Sequence, residues 1–188
     1  KLNFEGEAST EPEFDFNHYF IIDARPGSKS IALTHGFNSY GNAVFTPDGK
    51  NIILTRATDT LLNPDRALES SIYTIPVTGG ALTPLISEAG SSLDNGKISP
   101  DGKYLVYQSS KPMQISAQLL FLYDMRSGKK INIPFDRNIS STAWSQDSKT
   151  LYFTAQSNGG VPIYKTSVTD PKVEMMGTYD EGLGNLDV

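Results

Sequence analysis

Few residues in this chain have the type and spacing that chemistry needs. A serine nucleophile on an α/β sheet sits in Gly-x-Ser-x-Gly, a tight strand-to-helix turn, with its base histidine further along the chain. The nearest stretch, Gly90-Ser91-Ser92-Leu93-Asp94, ends on aspartate, and the two histidines, His18 and His35, both precede it. His18 begins an apolar strand and His35 follows one, so both read as structural. Two histidines and no cysteine make no zinc set. The absence of cysteine also rules out disulfides and leaves the compartment open. Asp59, Asn63 and Asp65 offer three oxygen ligands for calcium, but the spacing is not that of an EF-hand loop and the turn glycine is missing. A solvated loop is the expectation there, as it is for the acidic stretch Glu5, Glu7, Glu11 and Glu13, which could otherwise sit near a positively charged substrate terminus. No phosphate-cradling Gly-x-x-x-x-Gly-Lys is present. The pair singled out is Asp136-Arg137: either an ion pair that brackets its own loop, or a contact offered to a ligand. No catalytic residue, metal site or cofactor is expected in this chain.

The elements that must position such residues are easier to read. One phrase returns three times: Phe45-Thr46-Pro47-Asp48-Gly49-Lys50, Ile98-Ser99-Pro100-Asp101-Gly102-Lys103 and Trp144-Ser145-Gln146-Asp147-Ser148-Lys149, each followed by an apolar run. The steps between the turn aspartates Asp48, Asp101 and Asp147 are 53 and 46 residues. A period of about 50 residues marks a propeller or solenoid. Proline suits the first central position of a type I turn, glycine accepts a left-handed backbone, and aspartate bonds the backbone around the turn. The third copy replaces Pro with Gln146 and Gly with Ser148, which predicts a looser turn.

Past each hairpin two further strands follow: 71–77 and 81–86, then 119–123 and 130–134, then 161–165 and 172–176. Four short antiparallel strands per period make the blade of a β-propeller. The second strand of each group is an apolar run rather than an alternation, as expected where both faces are covered. The expected architecture is therefore all-β: a partial propeller of about three full blades plus partial end blades. Residues 1–36 form half a blade (strands 18–23 and 30–34), then come blades over 37–88, 89–136 and 137–180, and 181–188 begin another. Closed propellers have four to eight blades, so a piece of a longer polypeptide is expected. In such a meander the Pro-Asp-Gly turns lie on one face. Segments 56–70, 87–96, 109–118 and 135–141 collect on the other, where function is expected on variable loops.

Composition agrees. Among 188 residues there are nine Tyr, nine Phe, sixteen Gly and eleven Pro, with a net charge of −5 and no basic block. That argues against nucleic acid or an anionic membrane as partner, and no apolar run is long enough for a spanning helix. One sequon, Asn138-Ile139-Ser140, is present.

The repeat wording resembles TolB-like propellers and, more closely, the propeller of prolyl-oligopeptidase-type serine peptidases, in the acylaminoacyl-peptidase and dipeptidyl-peptidase V branch. The stretch 18–34 is similar to that family's strand, glycine turn and Leu-Thr unit. The same unit recurs from Tyr73 through Gly79-Gly80 to Leu82-Thr83. Phe135-Asp136-Arg137-Asn138-Ile139 before Trp144 resembles a segment ahead of a late blade, and Gly160-Val161-Pro162-Ile163-Tyr164 is similar to the strand after it. The resemblance implies a non-catalytic propeller segment. Its partners would be a C-terminal α/β-hydrolase domain of the same polypeptide, which supplies the chemistry, and peptide substrates. The alternative implied is a TolB-like protein-binding scaffold; a propeller acting as hydrolase or lyase in its own channel fits poorly with so few histidines.

Overall fold

A computed structural model describes residues 16–58, 69–112, 114–115, 117–177 and 186. Among them there is no helix, and fourteen strands run in chain order. β1 (Phe20–Ile21) and β2 (Ile31–Ala32) pair by themselves. β3 (Tyr40–Phe45), β4 (Asn51–Ala57), β5 (Ser70–Pro76) and β6 (Thr83–Ile86) form an antiparallel meander. β7 (Ser92–Ile98), β8 (Tyr104–Ser110), β9 (Leu119–Asp124) and β10 (Lys130–Ile133) repeat it. β11 (Ile139–Trp144), β12 (Thr150–Ala155), β13 (Ile163–Ser167) and β14 (Val173–Gly177) repeat it again. These groups are numbered blades 1 to 4 below. Blades 2 and 3 are linked by one parallel bridge, Ser70 to Ser92. The fold is the partial β-propeller that the repeat predicts.

The core lies between blades rather than within them. Along β4, Ile52 and Leu54 enter a cluster with Leu33 of blade 1, while Ile53 enters one with Leu93, Leu105 and Tyr107 of blade 3. Along β8, Leu105 and Tyr107 face blade 2, whereas Val106 joins Trp144, Leu151 and Phe153 of blade 4. Successive strand side chains point to opposite faces, so an apolar run is what a doubly covered strand must be.

Each hairpin turn is held by the same four bonds. Asp48 Oδ1 accepts from Thr46 Oγ1 (2.6 Å) and Lys50 N (3.1 Å), Gly49 N donates to Thr46 O (2.8 Å), and Thr46 Oγ1 accepts from Asn51 N (3.1 Å). Asp101 repeats the set with Ser99, Lys103, Gly102 and Tyr104, and Asp147 with Ser145, Lys149, Ser148 and Thr150. The third turn is therefore not looser. Ser145 Oγ to Asp147 is 2.7 Å, and Lys149 N to Asp147 is 3.0 Å. The hydroxyl at the turn's first position, not proline, closes it. Ser148 takes the left-handed φ of +61° where the other turns have Gly49 and Gly102. Its buried Oγ accepts the Asp101 N–H of the neighbouring blade at 3.0 Å.

Some boundaries differ from expectation. The loops expected over 87–96 and 135–141 are shorter, because β7 starts at Ser92 and β11 at Ile139. These inner strands are bulged, which hides them in sequence: Asn42 (φ +45°) and Asn95 (φ +53°) interrupt β3 and β7. Strands 18–23 and 30–34 shrink to two residues each. The stretch 181–188, expected to begin another blade, lies outside the described residues apart from Leu186, whose N–H donates to Ser141 Oγ at 3.2 Å.

Two outcomes test this account. Ser148→Ala keeps the left-handed backbone and strips the Asp101 N–H of its acceptor, so urea unfolding should register a loss of about 1–2 kcal/mol. Ser148→Gly relieves the backbone and should lose less. For Asp101, burial raises the pKa, but bonds from Ser99, the Lys103 N–H and the Lys103 side chain outweigh it and hold the carboxyl at about 2. The folded value lies below the unfolded 3.8, so the stabilisation is full above the unfolded value and is lost as pH falls through about 2. Asp101→Asn should flatten the fall in stability across that window in an acid titration followed by circular dichroism.

Candidate functional site

The connection from β10 to β11 and the loop from β12 to β13 lie on the face opposite the aspartate turns, because strand direction alternates. Pro134 ends the outer strand, and Phe135 then packs edge-on against Phe153 (5.0 Å between centroids) and Tyr164 (4.8 Å). That anchor delivers Asp136 and Arg137 to the rim between blades 3 and 4. Arg137 Nη1 donates to Ser157 Oγ (2.7 Å) and to Tyr164 Oη (3.0 Å). Its Nε lies 3.6 Å from Asp136 Oδ1, and the Asp136 side chain is 85% exposed. Ser157 is placed by a tight hairpin. It exchanges both backbone bonds with Gly160 (2.9 Å each), across Asn158 and Gly159 at φ +50° and +81°. Two positive φ values in a two-residue Asn-Gly loop match the strand twist.

These residues enclose a cleft of about 660 Å³. Arg137, Asp136 and Asn158 supply its polar edge, and Phe135, Pro162 and Met175 its apolar floor. Asp136 and Arg137 are thus brought together, but each has a different neighbourhood. Arg137 is fixed by two neutral hydroxyls, while Asp136 points largely to solvent. Ser157, Asn158 and Tyr164 were missed as site residues, although the Asn158-Gly159 dipeptide is itself a strong hairpin signal.

The corresponding rim between blades 2 and 3 is closed by charge. Glu88, in the β6–β7 connection, accepts from Lys130 Nζ (2.6 Å), Tyr107 Oη (3.2 Å) and Ser109 Oγ (3.4 Å). Burial raises the Glu88 pKa, but these partners, led by Lys130, bring it below its usual value. Burial and the adjacent Glu88 charge push the Tyr107 phenol well above its usual range.

The remaining candidates are occupied structurally. His18 Nδ1 lies 3.4 Å from Thr34 Oγ1 and its ring is 5.9 Å from Tyr40. The His35 carbonyl accepts from Tyr40 Oη (3.3 Å). Ser91 Oγ accepts from Lys111 Nζ (2.7 Å), and Ser92 Oγ meets Ser70 Oγ (2.9 Å) in β7, not at a strand-to-helix turn. Asn138 Oδ1 accepts from Gln118 N (3.0 Å). The calcium candidates Asp59, Asn63 and Asp65, and the acidic Glu5, Glu7, Glu11 and Glu13, lie outside the described residues. Among the described residues no three His, Asp or Glu side chains are grouped to hold a metal.

One stability test follows from the blade 2–3 rim. Glu88→Ala leaves three donors without their acceptor and should cost about 1–3 kcal/mol, while Tyr107→Phe, which removes one neutral donor, should cost about 0.5–1.5 kcal/mol. Denaturant titration of both variants would measure the order; a larger loss for Tyr107→Phe would assign the rim's stability to packing instead.

No family model matches this sequence. It is 30% identical over 167 residues to dipeptidyl-peptidase 5 of Porphyromonas gingivalis, across 85% of this chain and 24% of that protein. To dipeptidyl-peptidase 5 of Arthroderma otae it is 29% identical over 137 residues, 64% of this chain and 18% of that protein. The chain therefore spans about a quarter or less of the curated relatives it matches. Among solved structures it resembles an oligogalacturonate lyase in complex with manganese (TM-score 0.62, 15% identity, 81% of this chain, 40% of the other). It also resembles puromycin hydrolase (0.61, 14%, 81% and 23%) and TolB from Acinetobacter baumannii (0.57, 17%, 89% and 43%). At these identities the likeness is one of fold.

Proposed function

Taking as premise a propeller segment homologous to dipeptidyl-peptidase 5, as in prolyl-oligopeptidase-type peptidases, we propose that this chain is the non-catalytic part of an oligopeptide-cleaving serine peptidase. In this reading an α/β-hydrolase domain of the same polypeptide carries the chemistry. The propeller caps that domain, excludes folded proteins and lends loops such as the one bearing Asp136 and Arg137 to peptide substrates. The observation that supports it most is the 30% identity to dipeptidyl-peptidase 5 over 85% of the chain. The physical logic is rigidity. Blades locked face to face make a wall with a narrow passage, so a chain is admitted or refused by size without a large rearrangement of the enzyme.

The alternative is a TolB-like propeller that binds a protein partner. The likeness to TolB is at 17% identity, a likeness of fold alone, so the sequence relation to the peptidase favours the first reading. The purified chain should not hydrolyse a dipeptidyl-arylamide reporter, and the complete polypeptide should. Excising these blades should let the remaining enzyme cut a larger protein substrate that the complete enzyme spares. Reporter hydrolysis by the chain alone, or a complete polypeptide without a Gly-x-Ser-x-Gly serine, would overturn the proposal.

A further inference from the structure

We propose that the cleft on the rim between blades 3 and 4 binds the free carboxylate end of a peptide whose last side chain is apolar. This goes beyond the capping role and does not depend on it, since every residue it needs is in these two blades.

The guanidinium carries the inference. Arg137 Nη1 spends its two protons on Ser157 Oγ and Tyr164 Oη, which fix the plane of the group without neutralising its charge. The Nε–Nη2 edge is the one that meets a carboxylate with two parallel bonds. Among the described residues the acid paired with it is Asp136, whose Oδ1 lies 3.6 Å from Nε in a long ion pair with no hydrogen bond. The Asp136 side chain is 85% exposed, so an incoming carboxylate has only a solvated partner to displace. The cation at the neighbouring rim is treated differently: Lys130 is held by Glu88 at 2.6 Å. One rim holds a short, half-buried ion pair, and the other an oriented cation, 43% exposed, whose ion pair is 3.6 Å long and made to an acid 85% exposed.

The surroundings select the rest of the ligand. Phe135, Pro162, Val173 and Met175 line the cleft, and Met175 is 56% exposed there. An apolar side chain would gain about 25 cal/mol for each Å² it removes from water. Asn158, on the hairpin wall, offers a carboxamide that can bond a peptide group. A cleft of about 660 Å³ is in the range of small-ligand sites. An acid with no apolar arm would leave the floor wet, and an apolar peptide with a blocked end would leave the guanidinium edge with no partner closer than Asp136 at 3.6 Å. A C-terminal residue with an apolar side chain meets both.

The test is titration of the purified protein with acetyl-Ala-Leu and with its C-terminal amide, by calorimetry and by the methyl NMR signal of Met175. The acid should bind and shift that signal, and the amide should bind at least tenfold more weakly. Arg137→Gln should lose at least tenfold for the acid, Arg137→Lys should lose part of it, and Asp136→Asn should bind as tightly or tighter. Should Arg137→Gln fail to fold by circular dichroism, Met175→Glu at an exposed position places a repelling charge on the rim and should abolish acid binding. Equal binding of acid and amide, inorganic phosphate competing as well as the peptide, or acid binding that survives Arg137→Gln or Met175→Glu would each overturn the site.

Discussion

A four-stranded sheet with apolar side chains on both faces cannot stand in water by itself. The two-sided burial of the second strands is the constraint from which the rest of this structure follows. Ile53 and Leu54 are 1% and 0% exposed and look in opposite directions, as do Leu105 and Val106 at 0% each. Full burial of such a side chain is worth about 1.5–3 kcal/mol relative to exposure, so separating two blades would forfeit several such terms at once. Neighbouring sheets therefore settle as one stack, and the loops at their ends inherit fixed bases. This is how Phe135 can hold a five-residue connection, 134–138, in one place: Phe153 and Tyr164, which receive it, are themselves locked into blade 4 and stacked on each other at 5.5 Å.

Apolar packing is non-directional, and polar contacts add the alignment between blades that packing leaves open. Asn42 Nδ2 reaches the Gly96 carbonyl (2.9 Å), Trp144 Nε1 reaches the Lys97 carbonyl (3.0 Å), and Lys97 Nζ returns to the Thr142 carbonyl (2.5 Å). All three join inner strands of adjacent blades. Two of them use carbonyls at Gly96 and Lys97, beside the Asn95 bulge. The bulges are thus more than interruptions: a strand that leaves its ladder for one residue turns backbone groups toward the next blade. On the opposite side of the inner strands, Ser148 serves the same end through the Asp101 N–H, which explains a serine in a backbone conformation that glycine holds more easily.

The blades were legible in the sequence because the features that make them are local. A turn of six residues and the apolar strand after it sit side by side in the chain, so three copies could be recognised, and the second strands β4, β8 and β12 fall where the apolar runs end the phrase. The inner strands were harder. In Ser92-Leu93-Asp94-Asn95-Gly96-Lys97-Ile98 the bulge breaks the period-two pattern and the Asn-Gly pair imitates a loop. The third turn was misjudged because proline was credited with work that the Ser145 hydroxyl does. The candidate site was half legible: Asp136 and Arg137 stood out as an adjacent pair. Ser157 and Tyr164, which decide how the arginine is held, lie 20 and 27 residues further on. Only the packing of the β12–β13 hairpin over the β10–β11 connection brings them together.

The two rims show how one scaffold can carry different surfaces at equivalent places. The connection after β6 sends a carboxylate inward, and Glu88 gathers Lys130, Tyr107 and Ser109 around it. The connection after β10 sends an aromatic ring inward instead, and Phe135 fills the space with carbon. With no buried acid to pair with, the cation of that loop turns to hydroxyls. Hydroxyls orient a guanidinium but do not discharge it, and its ion pair with Asp136, 3.6 Å long and open to solvent, is screened and weakly held at the surface. The choice of residue beneath the connection, carboxylate or phenyl, thus sets whether the rim above is electrostatically closed or open. The choice also reaches the packing below: Phe135 extends the apolar cluster that joins blades 3 and 4, whereas Glu88 meets its neighbouring blade through the Tyr107 hydroxyl and the Lys130 ammonium.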